Sequence, residues 1–348
     1  YTGSAGIAYM FYQYGKCFNE PAYISVIIIP WNIYYYVFSH FYVILQNIIS
    51  FIFRKGKREV TFLTGIAGPL ALAAVVSYSL KSLANHVLDE SSDLPDELLY
   101  GRAGYLFSLL FLNANISPHT IEDELIKQYN SSLLTIIIKS GNIYSSSRKY
   151  KTPLMYAWHD SEYIGGAHGI AGILYMLLQA REYLTQSQLE KDIKPALDYL
   201  QNLRYPSGNF PSSIGSHSDK LVHWCHGAPG MPMLFCLAYQ IFHEEQYLQT
   251  ALQCGEVVWE RGLLKKGYSI CHGVSGNAYT FLSLFQHTKD VKYLYRACKF
   301  AEWCIDYGTH QTRSPDRPFS LFEGLAGTIF SLTDMQHPES AKFPAYTI

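Results

Sequence analysis

Two Cys-His dipeptides in matching contexts are the residues of this chain best suited to chemistry. Cys225-His226 lies in WCHGAPG and Cys271-His272 lies in ICHGVSG, and each is followed by glycine and an apolar run. Thiolates and imidazoles are the usual protein ligands of Zn²⁺. Because the dipeptide recurs in one register, it predicts a metal site built by equivalent parts of a repeat.

The glycines that follow these dipeptides belong to a motif that recurs along the chain. Gly-x-x-Gly before an apolar segment begins at Gly3, Gly65, Gly101, Gly169, Gly227, Gly273 and Gly324. Copies at steps of roughly 50 residues are typical of a tandem array of helical hairpins, with each motif at the start of a helix. If the repeats close into a ring, these helix starts meet at one mouth. Whether the glycines also expose helix N-termini or serve close packing alone stays open at this point.

Histidine occupies the position before the first glycine in three successive repeats, as His168, His226 and His272. Equivalent positions of adjacent repeats are neighbours in space, so these imidazoles are expected near the metal site. His168 is placed to give or shuttle a proton. A helix-capping or hydrogen-bonded core histidine is the alternative interpretation of His168.

The candidate ligands are Cys225, His226, Cys271 and His272, and adjacent residues point in different directions. A closed site with two cysteines and two histidines would be structural, whereas three protein ligands and one open position would be catalytic. We favour the open site, because the ligands fall at helix starts that face a mouth. Buried cysteines and capping histidines without a metal are the alternative.

Composition excludes some classes of function. The chain has 348 residues, a net charge of −1 and no basic block that stands out as a nucleic-acid footprint, so a nucleic-acid partner is not expected. Its 29 tyrosines suit a partly wet cavity, and its seven cysteines fit a reducing compartment. Apolar helical runs contain Cys236, Cys254, Cys298 and Cys304, which we expect in the core.

The segment 21–53 contains no Asp, Glu, Lys or Arg and is long enough to cross a bilayer. It also contains Pro30, Asn32, His40 and further polar residues, and it falls inside a repeat. We therefore expect an atypical apolar insertion rather than a membrane span, in a soluble, cytoplasmic protein. Peripheral association with the plasma membrane stays open. The chain is expected to form one domain over residues 1–348 whose N-terminus is incomplete, since it begins within a repeat.

Several stretches resemble the LanC-like proteins, the eukaryotic relatives of bacterial lanthipeptide cyclases. The resemblance is carried by TFLTGIAGPLALAA, ELLYGRAGYLFSLLF, GGAHGIAGILY, FPSSIG, LVHWCHGAPG, GLLKKGYSICHGVSGNAY and RSPDRPFSLFEGLAGTIF. It covers most of the chain from Lys57 onward, and the double CHG signature is specific. The resemblance implies an all-α fold, an (α/α)7 double ring of helical hairpins.

The same resemblance implies an activity and a set of site residues. One Zn²⁺ per chain would be held by Cys225, Cys271 and His272, with His168 and His226 as catalytic residues. The enzyme would add the thiol of glutathione to dehydroalanine or dehydrobutyrine residues in proteins or peptides, protein kinases among them. The residues that match glutathione-binding positions are Lys266, Arg313, Ser314, Pro315 and Asp316.

Three other functions remain as alternatives. A lanthionine-forming peptide cyclase would use the same chemistry with a cysteine of the substrate, although Lys266 and Arg313 favour a small thiol with two carboxylates. A toroidal glycosidase would need two carboxylates across a cleft. Asp160, Asp316 and Glu323 could supply them, but no carboxylate pair shares the repeat register. A glutathione-binding signalling scaffold would bind without turnover.

Overall fold

A computed structural model describes Met10, Tyr14, Cys17, Phe18 and residues 84–115 and 123–348. The described part is helical, and its only β-type pairings are isolated bridges, Trp158 with Ser161 and Tyr163 with Ser213. The principal helices are α1 (Arg102–Asn115), α2 (Asp123–Arg148), α3 (Ile170–Gln179), α4 (Lys194–Gln201), α5 (Pro232–Phe242), α6 (Glu245–Arg261), α7 (Val274–Thr288), α8 (Val291–Ile305) and α9 (Leu325–Asp334). Short helical turns cover Arg181–Tyr183, Gln186–Gln188, Leu189–Ile193 and Ala228–Gly230.

Inner helices alternate with outer helices. The inner helices α1, α3, α5, α7 and α9 follow the glycine motifs, and each contacts the next inner helix in this order. In α7, every residue from Val274 to Phe285 is buried. The outer helix α8 instead buries one face, whose residues are Tyr293, Arg296, Ala297, Phe300, Ala301 and Cys304, and exposes the opposite face. This difference follows from sequence, because an apolar helix is stable inside a fold and an amphipathic one covers it.

The helices close into a ring, as the sequence predicts. The Cys17 thiol, near the beginning of the chain, donates to the carbonyl of Thr333 in α9 at 3.7 Å. The first described residues therefore lie against the last inner helix. The architecture is a toroid of helical hairpins, the fold class expected from the motifs. The copies at Gly3 and Gly65 and the apolar segment 21–53 lie outside the described residues.

The second glycine of each described motif permits a close backbone contact. A Cβ on Gly276 would lie 1.9 Å from the carbonyl oxygen of Ile270, six residues earlier. The equivalent distances to the carbonyl oxygen six residues earlier are 2.2 Å at Gly104, 2.1 Å at Gly172, 2.4 Å at Gly230 and 2.0 Å at Gly327. Only glycine fits, so the loop before each inner helix folds back onto its first turn. The glycines thus serve both packing and helix initiation, for the helices begin at these motifs.

The C-terminal segment 341–348 fills the centre of the ring. Phe343 stacks on Trp224 with ring centroids 4.6 Å apart, and Tyr346 meets the same indole edge-on at 5.2 Å. Gln179 at the end of α3 donates to the Tyr346 carbonyl at 2.9 Å and accepts from the Ile348 amide at 2.8 Å. Trp224 directly precedes Cys225, so the packing of Phe343 and Tyr346 against its indole supports the CHG loop that contains Cys225.

Among the other cysteines, Cys236, Cys254 and Cys304 are buried as expected. The prediction for Cys298 is wrong, because this side chain is exposed on α8. Its neighbours Ala297 and Ala301 occupy the buried face, and a one-residue step turns the side chain by about 100° around a helix. None of the described helices is both long and apolar enough to cross a membrane.

We predict that Gly276→Ala destabilises the fold severely, because its Cβ would overlap a backbone carbonyl that cannot move independently. The loss in free energy of unfolding should be about 3 kcal/mol or more, the upper range for overpacking. Urea denaturation of the two proteins measures it. Gly308→Ala is the control, since Gly308 has φ +86° and no atom within 4 Å of the added Cβ. It should cost only about 1–2 kcal/mol, the cost of a left-handed alanine. Equal losses in both variants would contradict the role of the close contact.

Candidate metal and thiol site

Backbone hydrogen bonds join the loops that precede successive inner helices. The Gly166 amide donates to the Trp224 carbonyl at 3.2 Å, the Cys225 amide to the Cys271 carbonyl at 3.2 Å, and the Cys271 amide to the Phe322 carbonyl at 2.9 Å. This ladder fixes the mutual position of the two CHG loops independently of any side chain. It explains why residues 46 positions apart in sequence share a site.

The ladder brings together Cys225, Cys271 and His272, each of which offers one ligand atom within 4.8 Å of those of the other two. Both cysteines are buried and His272 is half-buried. This set coincides with the ligands implied by the family resemblance. The donors fit Zn²⁺, because two sulfurs and one imidazole nitrogen leave a fourth tetrahedral position.

Burial dominates the electrostatics of this site. It raises the pKa of the Cys271 thiol well above its usual range, and the adjacent Cys225 raises it further. Burial also lowers the pKa of His226 to about 4 and that of His223 to about 3. The Nδ1 atom of His226 is buried without a hydrogen-bond partner in the described part of the chain. Buried thiols are costly when ionised, and a bound cation would stabilise the thiolates, so Cys225, Cys271 and His272 fit a metal.

His168 lies in a structured environment beside the CHG loops. Its Nδ1 atom lies 2.7 Å from Oε2 of Glu97, a carboxylate that is 2% exposed. Glu97 in turn accepts hydrogen bonds from the amides of Leu99 and Tyr100. The imidazole also stacks on Trp158, with ring centroids 4.0 Å apart and planes at 12°. Since Nδ1 donates to the carboxylate, Nε2 is the ring atom left for chemistry.

Tyr163 connects His168 with the second histidine of the site. Its ring centroid lies 6.0 Å from that of His168 and 5.5 Å from that of His226. His168 and His226 therefore line one aromatic wall, and the charge of His168 contributes to the lowered pKa of His226.

Sequence reasoning missed Glu97, Trp158 and Tyr163. A signal existed for Glu97, because it stands four residues before the first glycine of its motif, the position that His223 occupies in a later repeat. His223 lies near His272, with ring centroids 6.1 Å apart. Extending the register by three positions would have identified both side chains. No equivalent signal exists for Trp158 or Tyr163, which lie in the irregular segment 151–169.

The cationic residues predicted for glutathione lie in and beside the loop that carries Cys271 and His272. Lys266 is exposed, and its charge lowers the pKa of both His223 and His226. The Arg313 amide donates to the Lys265 carbonyl at 3.0 Å, so the Arg313 loop lies against the Lys266 turn. His310 anchors the same loop, because its ring stacks on Trp303 at 4.0 Å and its Nδ1 lies 2.8 Å from the Tyr268 hydroxyl.

The other residues of this loop that are predicted to bind glutathione are mostly exposed to solvent. Ser314 and Asp316 are exposed and Pro315 is half-buried. The Asp316 carboxylate lies 3.6 Å from the Arg313 guanidinium, with both side chains largely exposed. Such surface ion pairs contribute little to stability, so the Arg313 guanidinium stays available to a ligand.

Comparison with known proteins decides the family. The model of the lanthionine synthetase C-like protein family matches residues 1–348. The chain is a LanC-like protein. It is 43% identical over 367 residues to "Glutathione S-transferase LANCL1" of Danio rerio, covering 100% of this chain and 84% of the relative. It is 36% identical over 320 residues to "LanC-like protein GCL1" of Arabidopsis thaliana, covering 85% of this chain and 72% of the relative.

A solved structure supports the fold of this LanC-like protein. "Nisin cyclase" superposes with a TM-score of 0.65 over 97% of this chain and 88% of its own, at 17% sequence identity. At that identity the likeness speaks to the fold alone. The helical toroid is thus shared with a structure whose sequence has largely diverged.

Proposed function

We propose that this LanC-like protein is a zinc-dependent glutathione transferase that adds the glutathione thiol to dehydroalanine or dehydrobutyrine residues in proteins or peptides. The observation that carries the proposal is the metal trio Cys225, Cys271 and His272 beside the His168–Glu97 pair. The name of the zebrafish relative supports the transferase class. Seven free cysteines support a reducing, cytoplasmic setting, in which protein kinases are candidate substrates.

Cys225, Cys271 and His272 would hold Zn²⁺, which would lower the pKa of a bound glutathione thiol and make it nucleophilic at neutral pH. The sulfur forms a bond to the β-carbon of the dehydroamino acid, and the alkene electron pair moves toward the α-carbon and its carbonyl. His168 supplies the proton that reaches the α-carbon, through Nε2. Glu97 holds the imidazole in the orientation that leaves Nε2 free. Nε2 first takes this proton from the glutathione thiol and then gives it to the α-carbon, so the addition is balanced and His168 returns to its starting state.

The thiol itself distinguishes this function from its closest alternative. Zinc accepts many thiols, so selectivity for glutathione must come from Lys266 and Arg313, which suit the two carboxylates of that tripeptide. A second candidate is a lanthionine-forming peptide cyclase in which the thiol belongs to the peptide, because Cys225, Cys271, His272 and His168 would serve that thiol equally. A glutathione-binding scaffold without turnover is the third candidate, and a turnover assay with a dehydroalanine peptide separates it from both enzymes.

We predict one Zn²⁺ per purified chain. Cys271→Ala should lose this ion, because the two remaining ligands, Cys225 and His272, hold it too weakly. Elemental analysis by plasma mass spectrometry measures the zinc-to-protein ratio. Cys298→Ala is the matched control, since it removes an exposed cysteine of α8, and its zinc content should equal that of the wild type. Full zinc occupancy in Cys271→Ala would exclude the proposed ligand set.

We predict that His168→Asn slows the addition by about 10²–10⁴-fold, the range for a positioned acid or base. Zinc content and glutathione affinity should stay unchanged, because His168 is not a proposed ligand of either. Glu97→Gln keeps the shape of the positioning side chain and should slow addition by about 10–100-fold. The rate of glutathione addition to a dehydroalanine peptide, followed in a discontinuous assay, measures the effect of both substitutions. Wild-type rates in His168→Asn would make His168 a structural residue.

We predict that Lys266→Ala and Arg313→Ala each weaken the apparent affinity for glutathione by about 1.5–3 kcal/mol, the range for hydrogen bonds to charged groups. The reaction with β-mercaptoethanol should barely change, because this thiol has no carboxylate. Lys265→Ala is the matched control, since this exposed neighbour contributes its backbone carbonyl to the Arg313 contact. Equal losses for both thiols would assign the two residues to the fold or the zinc site and would favour the cyclase.

A further inference from the structure

A cavity of about 440 Å³ adjoins the wall that carries His168. Its lining includes Asp93, Asp96, Tyr144, Tyr156, Trp158 and His159. Trp158 is shared between the cavity and the catalytic wall, because its indole stacks on the His168 imidazole at 4.0 Å. The volume lies within the range of roughly 300–1,000 Å³ that is typical of ligand pockets. None of the residues proposed for zinc, glutathione or proton transfer lines this cavity.

The charges that line the cavity are carboxylates. Neither Lys nor Arg is among its lining residues, all of which belong to the described chain. Asp96 is buried and already bonded, to the Arg102 guanidinium at 3.1 Å and the Ser140 hydroxyl at 2.5 Å. Asp93 is exposed at the opening, so its carboxylate can meet a ligand.

Two more carboxylates lie near Tyr144, a lining residue: burial raises the pKa of its hydroxyl, and Glu162 and Asp160 raise it further. Glu162 accepts a hydrogen bond of 2.8 Å from the Tyr144 hydroxyl. Asp160 follows His159 in a turn in which both residues have positive φ, +57° and +47°. The guanidinium of Arg148 lies 5.7 Å from the Tyr144 ring centroid. Arg148 therefore offsets part of the acidic charge on this side of Tyr144.

We infer that this cavity binds a Lys or Arg side chain of the peptide substrate, close in sequence to the dehydroamino acid. The inference rests on the proposed function and adds the class of substrate. A cationic side chain would find the Asp93 carboxylate and aromatic faces in one pocket, the combination that such side chains prefer. Glutathione is a poor occupant, because its net negative charge would meet Asp93. One shared indole separates the cavity from His168, so the cation should lie about one to three residues from the reacting position, at roughly 3.3 Å per extended residue.

The test uses short dehydroalanine peptides with Arg placed one to three residues before or after the reacting position, each paired with the same peptide carrying Gln. For the wild-type protein we expect kcat/KM with glutathione to favour Arg by about 10-fold at the best position. Asp93→Asn should reduce this preference to less than about 3-fold and leave the Gln peptides unchanged. Glu302→Gln is the matched control, because it removes one exposed carboxylate on α8, and it should keep the full preference.

Equal kcat/KM for Arg and Gln peptides at every position would overturn the inference, as would an undiminished Arg preference in Asp93→Asn. A small neutral dehydroalanine amide tests the proposed function separately, since it cannot reach the cavity. If neither the amide nor any peptide reacts, the proposed function fails. The inference is then decided by fluorescence anisotropy with inert peptides that carry Ala in place of dehydroalanine. Tighter binding of the Arg peptide, lost in Asp93→Asn, would support it, and equal binding of Arg and Gln peptides would overturn it.

Discussion

The contact between each inner helix and the carbonyl six residues before its second glycine determines the rest of this structure. At Gly276 the Ile270 oxygen occupies the space of a side chain, 1.9 Å from where a Cβ would be. This contact folds the preceding loop back over the helix start. The residue before the first glycine is thereby carried to the mouth of the ring. His168, His226 and His272 share that position. The same steric constraint, repeated in three loops, therefore brings their imidazoles close together.

The backbone hydrogen bonds between successive loops then fix the relative positions of the residues that these loops carry. Cys225 and Cys271 are joined through the backbone at 3.2 Å, so their sulfurs need no mutual attraction to stay close. Burial raises the pKa of the Cys271 thiol and the adjacent Cys225 raises it further, which opposes the thiolate form. The backbone therefore holds an arrangement that is unfavourable for the free side chains and favourable for a bound cation. Such preorganisation is characteristic of functional sites, where local cost is offset by the surrounding fold.

The sequence predicted those features that repeat and missed those that do not. The helix starts follow from the glycine register, because a helix start is a local event, whereas closure into a ring was implied by the family resemblance. Trp158 and Tyr163 complete the His168 environment but come from an irregular segment, whose course depends on distant packing. Glu97 shares a register position with His223, but no second glutamate occupies that position in the described motifs. Cys298 illustrates the limit within a helix, since an apolar run does not tell which residue falls one step off the buried face. The assignment of Lys266 and Arg313 needed the family resemblance, because exposed charge has no periodicity.

The order of charges around the mouth suggests how two reactants could be kept apart. Along the backbone ladder, the loops of His168, His226 and His272 follow one another, so His168 lies on one flank and Lys266 with Arg313 on the other. Asp93 and Asp160 lie on the His168 flank. An anionic thiol is attracted to the cationic flank and repelled by the acidic one, and a basic peptide experiences the reverse. Interactions of this kind lose strength beyond a Debye length of about 8 Å at physiological ionic strength. Under the proposed function, steering by these flanks would therefore act only on the last approach of the thiol and the peptide to the site.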